Sequence, residues 1–220
     1  FVPIAEFAGI NHFSVFSADE ARRVFEIKKQ DTDIIIMGWI CDDDMKWVIA
    51  NEIEFFVCDY SKAFIALSIA KKLNTKAKIH IEIETGMNRT GLSKKQLVHL
   101  VKLINNNSQY FDVKGLCTHL AGAESIANHV RVQKQLKKYN HIYKWIVNNG
   151  IIPESRHAAC SAAAFSYPRS RMDMVRIGIL QYGFWPSQET RIQFMSKQMD
   201  KSDPLYRVIS WKSKIMSVKK

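Results

Sequence analysis

The sequence has no apolar run of the roughly 18 residues that a membrane-crossing helix needs. Its longest, Ile34–Ile40, is strand-sized. It also has no charged leader followed by an apolar stretch and a small-residue cleavage site. Cysteine is scarce: Cys41, Cys58, Cys117 and Cys160 stand far apart, without a Cys-x-x-Cys pair. That excludes a disulfide framework and a zinc cluster, so no metal is expected, and it points to reduced, buried thiols in a cytoplasmic protein. Arginine-rich runs and aromatic-basic motifs are absent. The net charge of +11 therefore does not indicate nucleic acid. The lysines (Lys71, Lys72, Lys94, Lys95, Lys137, Lys138) are scattered as on a solvated helix face. No repeat or low-complexity segment stands out. Phe1 and the alternation interrupted at 217–220 read as cuts within a longer chain.

What is present is an ordinary globular composition, 47% hydrophobic and 24% charged, able to build a sizeable core. Short β-branched runs alternate with helix-like segments. The strand candidates are His12–Phe16, Ile34–Trp39, Ile53–Cys58, Ala77–Glu84, Val113–His119, Arg156–Ser161 and Met174–Ile179. Capping boxes at Ser17-x-x-Glu20 and Ser93-x-x-Gln96 start two of the helices. Val132, Leu136, Tyr139, Tyr143 and Ile146 form one helical stripe, ended by Gly150.

Strand–helix alternation requires parallel pairing. Seven such units are one short of a closed eight-stranded barrel, with Val2–Gly9 as the tail of a first helix. The expected fold class is thus α/β: a TIM-like (β/α)8 barrel missing its first strand, followed by the start of a C-terminal β domain. The division is 1–185 for the partial barrel and 186–220 for a linker and the opening of the β domain, with Leu205–Val218 strand-like.

Four motifs follow four successive strands: Thr85-Gly-Met-Asn-Arg-Thr-Gly91, Thr118-His-Leu-Ala-Gly122, His157-Ala-Ala-Cys-Ser-Ala-Ala163 and Met174-Val-Arg-Ile-Gly-Ile179. In such barrels the loops after the strands build the active site. Arg89, His119, Ser161 and Arg176 should therefore converge. Taken singly, His119 reads better as a packed core histidine, and Ser161 could be a helix cap. As a set they suit an anionic, aromatic group: Ser161 and the amides near Gly178 for a phosphate, His119 as a flat stacking ring, and two arginines as fixed charge.

The Thr-Gly-Met-x-Arg-x-Gly and Met-Val-Arg-x-Gly-Ile-x-x-Tyr-Gly motifs together resemble those of the alanine racemase family, barrel-fold enzymes that use pyridoxal 5'-phosphate. The resemblance covers nearly the whole chain. It implies that Arg89 contacts the cofactor's phenolic oxygen and helps hold the substrate carboxylate, a catalytic and substrate-binding role. It further implies that His119 packs on the pyridine ring, that Ser161, Gly178 and Ile179 bind the phosphate, and that Arg176 faces the pyridine nitrogen. Met37 would line the pocket. Glu82 stands where some members carry a carbamylated lysine, and is expected to orient Arg89 or to pair with another barrel cation. Cys160 stands where the family usually has asparagine.

The family's cofactor-linking lysine lies in a Lys-Ala-x-Ala-Tyr-Gly-His motif, which these 220 residues lack, and its second base is a tyrosine of the C-terminal domain lent by a partner subunit. The implied activity is interconversion of L- and D-alanine for peptidoglycan by a cytoplasmic homodimer that binds neither membrane nor nucleic acid, this piece alone being inactive. The alternatives are a racemase or decarboxylase for another amino acid, and a non-catalytic pyridoxal-phosphate-binding protein.

Overall fold

A computed structural model describes residues 1–200 and 202–219. The chain opens with α1 (Val2–Phe7), β1 (His12–Val15), α2 (Ala18–Phe25), β2 (Asp33–Ile36), α3 (Asp42–Ala50) and β3 (Glu54–Val57). It continues through α4 (Tyr60–Leu73), β4 (Ala77–Glu82), α5 (Lys94–Asn105), β5 (Phe111–Cys117) and α6 (His129–Asn148) to β6 (Ser155–His157), α7 (Ser161–Ser166) and α8 (Gln188–Met195). The six strands form one sheet in chain order, and every pair is parallel. The helix starts are chemically marked: the Ser17 hydroxyl accepts the Glu20 amide, Asp59 caps α4, and Ser93 and Gln96 form a complete capping box.

Alternation along the strands divides the core into two layers. Ile34, Ile36, Phe55, Val57, Ile79, Ile81 and Leu116 face outward, into the apolar layer beneath the helices. Ile35, Phe56 and Cys117 face inward, with Met37 against them. Beside them on the inner face, and equally buried, lie Glu54, His80 and His157. The sheet is curled: the ring of Phe1, before α1, lies 6.2 Å from that of Tyr182, in the 3-10 turn beyond β6. This is the expected α/β barrel architecture, with β1 as one edge.

The seventh expected strand, Met174–Ile179, is reduced to one parallel bridge, Cys160 to Arg176. Val175 and Ile177 point outward and stay more than a third exposed, so no packed layer rewards longer pairing. Expected strand ends also retract: Ser161 opens α7 instead of closing β6. In the stretch after Tyr182, Ser187 caps α8, and Phe165, Trp185 and Phe194 cluster with ring centroids 4.9–5.3 Å apart. Leu205–Val218 forms no strand. Trp211, Ile215 and Met216 are over four-fifths exposed, and an alternating segment without a neighbouring sheet has nothing to pair with. Of the four cysteines, all free, only Cys117 is buried; Cys41 is exposed because it caps α3 at the rim.

Gly115 is fixed by close approach. A Cβ there would fall on Nδ1 of His80 and lie 3.0 Å from Nε2 of His157. Gly115→Ala should therefore cost about 1–3 kcal/mol, the usual penalty for overpacking, read as a lower denaturant midpoint. An unchanged midpoint would show that the two histidines are not packed across this glycine.

Candidate active site

The strand ends and following loops of β4, β5 and β6 gather the polar side chains. The loop after β4 is pinned from within. Glu84 accepts the amides of Gly86 and Asn88, and Arg131 donates to the Gly86 carbonyl at 2.7 Å. The loop after β5 is tied to it by a buried chain of donors. Gln135 of α6 donates to Thr85 Oγ1 at 3.1 Å and to the His119 carbonyl at 2.9 Å. The Thr85 and Thr118 hydroxyls are 2.7 Å apart, and that of Thr118 donates to the Ile83 carbonyl at 2.9 Å. Gln135 also accepts the Ala121 amide. It sits on the stripe of α6 one residue before Leu136. A buried amide there is the signal that composition alone hides.

Arg176 is anchored from behind. Its guanidinium donates to Nδ1 of His157, to the His157 carbonyl at 3.2 Å and to the Thr118 carbonyl at 2.9 Å. It lies 6.0 Å from the centroid of the Phe56 ring, and no ion pair holds it among the described residues. Behind it a line of buried groups runs to the barrel floor. His157 Nε2 is 2.8 Å from His80 Nδ1, His80 Nε2 is 2.8 Å from Glu54 Oε2, and the same oxygen lies 2.9 Å from His12 Nε2. Neither His80, Glu54 nor His12 was singled out by the motifs.

The other expected residues fall around Arg176. Ser161 is buried at the start of α7, and its hydroxyl accepts the Gly178 amide at 3.0 Å. Gly178 has open space where a Cβ would be, and Ile179 beside it is exposed. The His119 ring is half-buried and makes no hydrogen bond or ring contact among the described residues. Arg89 is exposed and likewise unpaired, but its charge reaches both His119 and Glu82.

Glu82 does not orient Arg89. It accepts from the Thr90 hydroxyl at 3.1 Å, and no ion pair joins it to an arginine. The reason is the turn: Gly86, Asn88 and Gly91 adopt positive φ of 141°, 57° and 108°, and the chain leaves Arg89 outward and Thr90 back against Glu82.

The electrostatics keep the buried histidines of this interior neutral. Burial, with Arg176 and Arg89 adding to it, pushes His119 down to about 4. Burial, then Arg176, holds His157 well below the imidazole range. Burial also lowers His80, against the pull of Glu54. For Glu54 burial works upward, but the donors on His12 and His80 prevail and hold it down to about 2. The hydrogen bonds from the two rings are the larger part of that pull, and their charge interactions add to it. Glu82 is raised by burial, against the Thr90 hydrogen bond and the two arginines.

These shifts make the fold acid-sensitive. Below pH 6.5 the unfolded histidines take protons that folded His119, His80 and His157 refuse. Between 4.5 and about 2 the unfolded chain protonates a glutamate that stays ionised when folded. At each of these four groups the unfolded state binds more protons, so their contribution to stability falls as pH falls, with the raised Glu82 working in the opposite direction. Denaturant midpoints measured from pH 8 to 4 should decline from about 6.5 downward; a midpoint rising below pH 6 would contradict the assignment.

Residues 1–186 match the family model described as alanine racemase, N-terminal domain. The alanine racemase of Leptospira interrogans (serovar copenhageni) is 30% identical over 211 residues, covering 96% of this chain and 53% of that protein. Among solved structures, the alanine racemase of Clostridium difficile 630 in complex with cycloserine superposes with a TM-score of 0.75 at 27% identity, over 86% of this chain and 52% of that one. The Bartonella henselae alanine racemase with covalently bound pyridoxal phosphate does so at 0.71 and 25%, over 81% and 48%. The chain spans about half the length of these relatives. By sequence and by fold alike, this chain belongs to the alanine racemase family and corresponds to its N-terminal domain.

Proposed function

We propose that this chain is the cofactor- and substrate-holding part of an enzyme that interconverts L- and D-alanine with pyridoxal 5'-phosphate. The observation that carries the reading is the mouth itself: an anchored Arg176, an unpartnered neutral His119 ring and the Ser161–Gly178 pair, all at the strand ends. These groups fit the cofactor. A flat ring meets His119, an anion meets the Gly178 amide, the Ser161 hydroxyl and the first N–H of the turn that Ile179 opens, and no side chain fills the space at Gly178. Among relatives, one solved structure holds covalent pyridoxal phosphate and another, from Bacillus anthracis, holds L-Ala-P.

Bound there, pyridoxal phosphate supplies the electron sink that acidifies the α-proton of an amino acid. The chain's own residues do the rest. Arg89, exposed and unpaired at the rim, receives the substrate carboxylate. His119, held neutral, stacks without adding charge. Arg176 offers a guanidinium N–H that would donate a hydrogen bond toward the ring nitrogen without handing over its proton, which would leave that nitrogen neutral.

Neither the lysine motif nor a partner-supplied tyrosine is among these residues, and proton transfer on the two faces of the substrate belongs to other parts of the protein. The wider reading is a cytoplasmic homodimer making D-alanine for peptidoglycan, with 1–185 as the barrel domain and 186–220 leading into a β domain. No helix of the described residues is long and apolar enough to cross a membrane.

Two tests follow. Incubated with pyridoxal phosphate and reduced with borohydride, the 220-residue chain should show no stoichiometric lysine adduct by mass spectrometry and no racemisation. The full-length protein should show both, with alanine preferred over other amino acids. A stoichiometric adduct and activity in the short chain, or preference for another amino acid, would overturn the reading. In the full-length protein, Arg176→Glu places a carboxylate beside the ring nitrogen and favours its protonation. Racemisation should fall by about a hundredfold, the usual scale for losing one positioned donor, while pyruvate forms faster from alanine. Normal racemisation without extra pyruvate would remove this role from Arg176.

A further inference from the structure

The line from Arg176 to the barrel floor has a definite direction, set by chemistry at both ends. Arginine has only donors, and an ionised carboxylate only acceptors. The Arg176 guanidinium donates to Nδ1 of His157, so that nitrogen carries a lone pair and the neutral ring has its proton on Nε2. Nε2–H of His157 then donates across 2.8 Å to Nδ1 of His80, which must also be a lone pair. His80 therefore has its proton on Nε2, and this donates across 2.8 Å to Oε2 of Glu54. Each step admits one arrangement only, because a second proton on either ring would set N–H against N–H in a buried space.

We propose that Glu54 is a positioning residue for Arg176: as the acceptor that ends the line, it fixes the proton order of His80 and His157 so that His157 presents a lone pair to the guanidinium. The surroundings are built for this. Glu54, His80 and His157 are at most 3% exposed. The Phe56 ring lies 6.1 Å from that of His80 and 5.8 Å from that of His157 and walls off the line. Gly115 leaves the gap in which the two imidazoles meet. His12, on β1, gives Oε2 of Glu54 a second donor at 2.9 Å, which holds the carboxylate in place from the other side. Removing the acceptor would leave Nε2–H of His80 buried and unmatched. The ring's escape is to move its proton to Nδ1, and that turns His157 around and opposes an N–H to Arg176.

What Arg176 then does for a bound cofactor rests on the proposed function; the proton order does not, and it is tested without cofactor. In the full-length protein with ring-15N-labelled histidine, solid-state NMR at pH 7 reads which nitrogen of each ring is protonated. His80 and His157, assigned by His80→Gln and His157→Gln, should each show one signal set, Nε2 protonated and Nδ1 bare. Glu54→Leu should lose that single set and gain a second with Nδ1 protonated, and in a sample that also carries 15N-labelled arginine the ordered guanidinium signals of Arg176 should broaden. Glu54→Gln restores an accepting oxygen and should restore the wild-type set, which a general packing defect would not do. If Glu54→Leu does not fold, the wild-type spectrum still decides. Nδ1 protonated on either ring, or a doubly protonated ring, overturns the proposal. So does an unaltered set in a folded Glu54→Leu.

Discussion

The mouth of this barrel depends on one constraint: a half-buried guanidinium held from behind. Arg176 comes from a segment that pairs with the sheet through a single bridge. Its backbone alone would not place it. Three hydrogen bonds, to His157 twice and to Thr118 once, do. The acceptors sit on strand ends that are themselves fixed, Thr118 by Thr85 and Ile83 and His157 by His80. The weak seventh unit is thus tied down by side chains where a longer ladder would have served, and the neighbouring Gly178 and Ile179 are carried into position with it.

This arrangement explains why the interior of the sheet is polar on one side. A parallel sheet curled toward closure normally fills its inside with branched apolar residues, as Ile35 and Phe56 do here. A row of neutral imidazoles ending in Glu54 occupies the rest. Behind the barrel mouth the Arg176 guanidinium meets fixed lone pairs, and every buried side-chain nitrogen and oxygen among the described residues has a partner. The same fixed groups leave the exposed side of Arg176, the His119 ring and Arg89 unspent.

The sequence carried the alternation of strands and helices, the capping serines and the α6 stripe, because these are local and periodic. It also carried Arg89, His119, Ser161 and Arg176 as members of one mouth, through motifs at equivalent strand ends. It could not carry what depends on neighbours. Met174–Ile179 has strand composition but no layer on its outer side, and Leu205–Val218 alternates with no sheet beside it. Glu82 and Arg89 have suitable spacing, yet three positive-φ residues in the loop turn them apart. His80 and His157, 77 residues apart in sequence, meet only because Gly115 leaves room between them, and nothing local marks that glycine.

The central claim is that Arg176 and its neighbours cradle pyridoxal phosphate. The most direct test is a crystal structure of the full-length protein with the cofactor bound. The account predicts the phosphate on the Ser161 hydroxyl and the Gly178 and Ile179 amides, the His119 ring against the pyridine face, and a guanidinium N–H of Arg176 within about 3 Å of the ring nitrogen. A cofactor phosphate bound elsewhere, or Arg176 turned away from the ring nitrogen, would contradict it.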